Sequence, residues 1–243
     1  MLRKLMQLGL GALLLGGCAY HQGQSYDINN PVVRKTGWFS YLDGNDIREA
    51  CAGGGSERYR LVYNGQYDEQ LRSYEVYVGQ DGGGVLNARA LNNGDTPFSI
   101  SLGDPFAPWT WRESQMKLTP AEVAQFRALL TDSGYGTGAP QGLRLQSRDF
   151  YWVATGCQAG VFHFYAWNNR PQSMAPAGFD PIKFQDFLLK RDQTGLAFRP
   201  PHVTTPIERN QFSGSGGGNA STPNPNFTLT VKGEGIGGLL NAF

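Results

Sequence analysis

Apolar and polar positions change period along this chain, and the changes mark its elements. Arg58-Tyr59-Arg60-Leu61-Val62-Tyr63 alternates and is rich in β-formers, as is Tyr74-Glu75-Val76-Tyr77-Val78. Asp81-Gly82-Gly83-Gly84 follows as a turn, and Val85 to Leu91 reads as the return strand of a hairpin. Asn92-Asn93-Gly94-Asp95 is a further turn cluster, leading into Phe98-Ser99-Ile100-Ser101-Leu102. The pattern predicts a four-stranded antiparallel meander over residues 58–102.

At Thr119 the period becomes helical. Thr119 can cap a helix, Pro120 suits its first position, and Glu122 completes a capping box. Val123, Phe126, Leu129 and Leu130 then share one face, and Gly134 ends the pattern. A second helix is expected from Asp180-Pro181, with Phe184, Phe187 and Leu188 on its inward stripe. Between them, Phe150 to Trp167 is the densest apolar region and reads as a hairpin turning at Cys157-Gln158-Ala159-Gly160. Its second strand is apolar on both faces, with Phe162, Phe164 and Ala166 on one side and Val161, His163, Tyr165 and Trp167 on the other. Such a strand is expected to be covered twice.

These elements predict an α+β domain over residues 38–200, mainly an antiparallel sheet with two helices packed on it. Residues 201–226 form a Pro-containing exit and a linker, because Ser213 to Asn226 are all Ser, Gly, Asn, Ala, Thr or Pro. Residues 227–243 are read as a strand-like end to a flexible C-terminal tail, since Phe227-Thr228-Leu229-Thr230-Val231 alternates. A strand beyond a linker can join its own sheet or the edge of a partner's, so an envelope protein is a possible partner of this tail. Twenty-one basic and 20 acidic residues leave no basic excess, which argues against nucleic acid as a partner.

The first residues set the expected address. Arg3 and Lys4 precede an apolar stretch, Leu5 to Leu15, that is too short to span a bilayer and suits a signal peptide over residues 1–17. Leu15-Gly16-Gly17-Cys18 resembles the lipobox of bacterial lipoproteins. The resemblance implies that Cys18 is the acylated first residue of the mature chain, with palmitate-type chains holding it to a membrane. Ala19, where an aspartate would favour inner-membrane retention, implies the outer membrane facing the periplasm. Residues 18–37 then serve as lipidated N-terminus and tether. Asp46-Ile47-Arg48-Glu49-Ala50-Cys51 and Arg58 to Asn64 are similar to uncharacterised bacterial envelope lipoproteins, a resemblance that carries no catalytic residues.

Two cysteines remain, Cys51 and Cys157, in a compartment that favours disulfides. They are expected to pair, closing a loop of about a hundred residues worth ~4–5 kcal/mol in lost chain entropy; two separate buried thiols are the alternative. Neither has a histidine or second cysteine at ligand spacing, so no metal site is expected.

Candidate chemistry is sparse. Ser114-Gln115-Met116-Lys117 and Lys35-Thr36-Gly37 match motifs of penicillin-recognising enzymes, but in the reverse order along the chain. Of three histidines, only His163 lies inside the expected domain, as a general base or a hydrogen-bonded core residue. Asp43, Asp46 and Glu49 are either an acid/base or cation site, or a turn and helix start. Trp109 with Trp111, and Tyr165 with Trp167 beside His163, would each share a strand face, as a binding platform or as core. No catalytic residue, cofactor or metal is assigned. The expectation is a lipid-anchored envelope protein with a non-enzymatic binding or scaffolding role. The alternatives are a cell-wall glycan binder or hydrolase, or a carrier of a small apolar ligand.

Overall fold

The computed structural model describes residues 31–66, 69–92, 111–169, 182–202 and 227–237. They form an α+β fold around a six-stranded, fully antiparallel sheet in the order β4-β3-β2-β1-β6-β7. The strands are β1 (Arg58–Gly65), β2 (Gln70–Val78), β3 (Gly84–Asn92), β4 (Arg112–Leu118), β6 (Phe150–Gln158) and β7 (Val161–Asn169). A second sheet of three strands pairs β5 (Arg144–Gln146) with β8 (Thr228–Val231), and β8 with β9 (Ile236–Gly237). Helices α1 (Pro31–Asp43) and α2 (Asn45–Ala52) precede the sheet, α3 (Pro120–Asp132) follows β4, and α4 (Gln185–Leu189) follows β7.

Period-two alternation sends each strand's residues into two different cores. Tyr59, Leu61 and Tyr63 of β1 join Phe150, Trp152 and Ala154 of β6 under α3 and α4, where Val123, Phe126, Phe184, Phe187 and Leu188 meet them. Val62, Tyr151, Val153, Phe164 and Ala166 point the other way, against Trp38, Tyr41 and Leu42 of α1 and Leu229 and Val231 of β8. β6 is buried along Phe150–Cys157 because it lies inside the sheet with both faces covered.

The punctuation of α3 is as its sequence demands. Glu122 N–H donates to Thr119 Oγ1 at 3.3 Å, and Thr119 N–H donates back to Glu122 Oε2 at 2.9 Å. The β6–β7 hairpin turns on Ala159 and Gly160, with φ of 49° and 77°, two positive values in succession as a type I′ turn requires.

Three elements differ from the sequence pattern. The fourth strand of the meander is Arg112–Leu118, while Phe98 to Leu102 lie outside the described residues. The second predicted helix is five residues long, Gln185–Leu189, and its expected start at Asp180-Pro181 also lies outside them. Helix α1 begins at Pro31, within the segment read as tether, and with α2 it brings the helices among the described residues to four.

Residues 227–237 are tied to the body of the fold. β8 lies between β5 and β9, and Leu229 and Val231 are fully buried. Gly233 N–H donates to Gln141 Oε1, and Arg48 Nη2 donates to the Glu234 carbonyl at 2.7 Å. Ile236 N–H donates to Asp43 Oδ1 at 2.7 Å, and Phe164 N–H of edge strand β7 donates to Glu234 Oε2 at 3.0 Å. Of the two destinations open to this strand, the described residues fill the one within the chain.

Candidate functional site

The aromatic residues singled out by sequence do not form one face. Trp111 is buried on the α1 side, its ring 6.5 Å from Trp38. Trp167 is buried on the opposite side, donating Nε1–H to the Ser133 carbonyl at 2.7 Å and packing on Phe184. Tyr165 is half-buried beside Trp167 with ring centroids 4.7 Å apart, and the half-buried His163 ring lies 5.8 Å from that of Tyr135. His163, Tyr165 and Trp167 therefore come together and Trp111 does not. Trp109 and Cys18 lie outside the described residues.

The carboxylates before β1 also diverge. Asp43 binds the Ile236 amide and pairs with Arg48 at 3.5 Å, and its carboxyl is raised above the usual range by burial. Asp46 turns inward, 5 % exposed, while Glu49 is exposed. Ser114 and Lys117 stand three apart on β4, hence on opposite faces of the sheet. Ser114 Oγ accepts from the Gln193 amide at 3.1 Å, and Lys35-Thr36-Gly37 is in helix α1, so the penicillin-type pairing has no geometry here. Among the described residues, no group of three or more His, Cys, Asp or Glu side chains could hold a metal ion.

Cys51 and Cys157 form a disulfide that pins α2 to the end of β6, with Cα atoms 5.5 Å apart and 106 residues between them. Ile47 and Phe162 pack around it.

Beside the bridge lies a dense polar cluster, in which Asp46 alone is singled out by the sequence as a candidate site residue. Arg60, 2 % exposed, donates Nη1 and Nη2 to the two oxygens of Asp46 at 2.7 and 2.8 Å and Nε to Glu75 Oε1 at 2.6 Å. Its guanidinium also lies 3.8 Å from the Tyr41 ring centroid. Arg58 bridges the same acids, at 3.1 Å from Asp46 and 3.2 Å from Glu75, and Arg89 approaches Glu75 at 3.9 Å. Tyr77 donates its hydroxyl to Glu75 Oε2.

Burial alone would raise the Glu75 carboxyl, but Arg60 and Arg58 hold it far below the ordinary carboxylate range. The Tyr41 hydroxyl goes the other way, pushed up to about 12 by burial and by Glu75. Bidentate geometry of this kind fixes α1 and α2 on the sheet. The one signal in the sequence was charge two residues apart within β-type runs, Arg58 with Arg60 on one strand and Glu75 on the next.

From this cluster the same sheet face continues outward as polar rows. Glu75, Asn87 and Gln115 follow one another across β2, β3 and β4, as do Ser73, Arg89 and Glu113. Gln115 Nε2 donates to Asn87 Oδ1 at 2.8 Å, and Arg89 Nε donates to Glu113 Oε1 at 2.9 Å. These four residues, with Ala88 and Ser114, line an open depression of about 260 Å³. Tyr77, 37 % exposed, stands two residues along β2 from Glu75 on that face.

In comparisons with known proteins, no protein family, curated protein or solved structure matches the chain.

Proposed function

We propose that the chain is a lipid-anchored protein of the bacterial envelope, held by Cys18 at the periplasmic side of the outer membrane, with a binding or scaffolding role and no catalysis. The observation that carries this reading is the order of basic residues, short apolar run, small residues and cysteine that ends in Leu15-Gly16-Gly17-Cys18. The Cys51–Cys157 bridge accords with it, because such bonds persist in oxidising compartments.

The non-catalytic part rests on where the reactive groups are spent. Asp43, Asp46 and Glu75 each hold part of the fold together, and no carboxylate among the described residues hydrogen-bonds the ring of His163. The space between sheet and helices that an apolar carrier would need is filled by Phe126, Trp152, Phe184 and Phe187. No helix among the described residues is long and apolar enough to cross a membrane.

Labelling bacteria that express the full chain with an alkyne-bearing palmitate tests the anchor. Label on the wild type, its loss in Cys18→Ala, and release of that variant from the outer-membrane fraction are the expected results. An unlabelled wild-type chain would overturn the reading.

A further inference from the structure

We propose that the polar depression across β3 and β4 is a binding site for a neutral, hydroxyl-rich saccharide segment, with Asn87, Gln115, Arg89 and Glu113 as its hydrogen-bonding groups and Tyr77 at its margin. This deepens the binding role proposed above and names its ligand class.

Position is the first argument. The sheet is covered by α3 and α4 on one face, and by α1, α2 and the small sheet over much of the other. The depression is the part of that second face where the side chains turn from apolar to polar.

Pre-organisation is the second. Each amide or charged group is held by a neighbour: Gln115 by Asn87 at 2.8 Å, and Arg89 by Glu113 at 2.9 Å with Glu75 behind it at 3.9 Å. Glu75 is fixed in turn by Arg60, which is 2 % exposed, so the support reaches into the buried cluster. Rigid planar groups lose little freedom when a ligand binds. After their mutual bond, an amide pair still offers one N–H₂ donor and one carbonyl acceptor, which matches the donor-and-acceptor character of sugar hydroxyls.

Charge decides the ligand class. Arg89 and Glu113 cancel, so the depression favours neither a polyanion nor a polycation. It also lacks the apolar pocket that anchors a peptide side chain. Tyr77 lies on the same face beyond the lining residues, with the Arg58 guanidinium 4.8 Å over its ring, so only the opposite side of that ring can meet a sugar face. A depression of about 260 Å³ is small for a drug-sized ligand and suits one ring of a longer chain.

The test uses the full chain in detergent micelles and a tetramer of β-linked N-acetylglucosamine as probe. NMR follows the side-chain amide signals of Asn87 and Gln115 during titration. The expected result is saturable shifts of those signals and, in N87A/Q115A, affinity at least about tenfold weaker with an unchanged urea midpoint. Three results would overturn the proposal: no saturable shift, equal affinity in the double variant, or binding only to an oligouronate or an extended peptide. Should the double variant fail to fold, the wild-type amide shifts decide alone. Cys18 acylation is read separately, so failure here leaves the envelope reading standing.

Discussion

At Gly44 one missing side chain decides whether α1 and α2 can meet the sheet. The residue joins the two helices at φ +67°, and a Cβ built there would stand 2.7 Å from Thr155 Cβ on β6. Both backbone conformation and space therefore require glycine. Gly44→Ala is expected to cost about 2–3 kcal/mol, read as a lower urea midpoint at unchanged slope. Because Thr155 Cβ is itself among the atoms struck, Thr155→Ala in the same chain should not restore the midpoint. Recovery in the double variant would show that the cost lies in the hydroxyl and methyl contacts instead. Arg60 is the polar counterpart of this position. Its fork on Asp46 and its Nε bond to Glu75 replace the water that burial removed, and without it both buried acids would depend on the more exposed Arg58 for their nearest counter-charge.

Among the elements, the short terminal strand contributes more than its length suggests. Phe227, Leu229 and Val231 all enter the core beneath α1, and Leu229 is fully buried opposite Leu145 of β5. Leu229→Ala should lower stability by roughly 2–5 kcal/mol in urea unfolding, the range for a large-to-small change in a packed core. A change within about 0.5 kcal/mol would mean the strand adds nothing to the body. Sequence periodicity found this strand, the Thr119–Glu122 capping box and the Ala159-Gly160 turn, because each depends on neighbouring residues alone. The destination of β8 was not legible, since a Φ-x-Φ-x-Φ strand fits any open edge and only tertiary packing selects one. Helix α1 escaped notice for a related reason: its Gly37 and β-branched Val32 and Val33 are poor helix formers, and packing of Trp38, Tyr41 and Leu42 overrides them. The polar depression was beyond sequence reasoning too, because Asn87, Arg89, Glu113 and Gln115 meet only through the β3–β4 register.

For the molecule as a whole, the buried ion cluster sets how stability responds to acid. In the folded chain Glu75 titrates far below the ordinary range because Arg60 and Arg58 outweigh its burial, whereas in the unfolded chain it returns to about 4.3. A depressed folded value means the unfolded state binds the extra proton first. The associated stability is complete above the unfolded value and is lost as pH falls through and below it. Asp192, lowered against the opposing effect of burial by bonds from Thr194 and Tyr74 and by Arg72, adds to the same trend. Asp43 opposes it, because burial raises its carboxyl, so protonation there favours the folded form. Urea unfolding of the wild type should therefore weaken steadily below about pH 5. In Glu75→Gln one such group is gone. Its stability at pH 7 should be lower by about 3–5 kcal/mol, since Arg58 and Arg60 lose a counter-charge. Its acid limb should be shallower by up to about 1.4 kcal/mol per pH unit, one proton's worth. Wild-type and variant curves running parallel between about pH 2 and 5 would place the acid sensitivity in carboxylates other than Glu75.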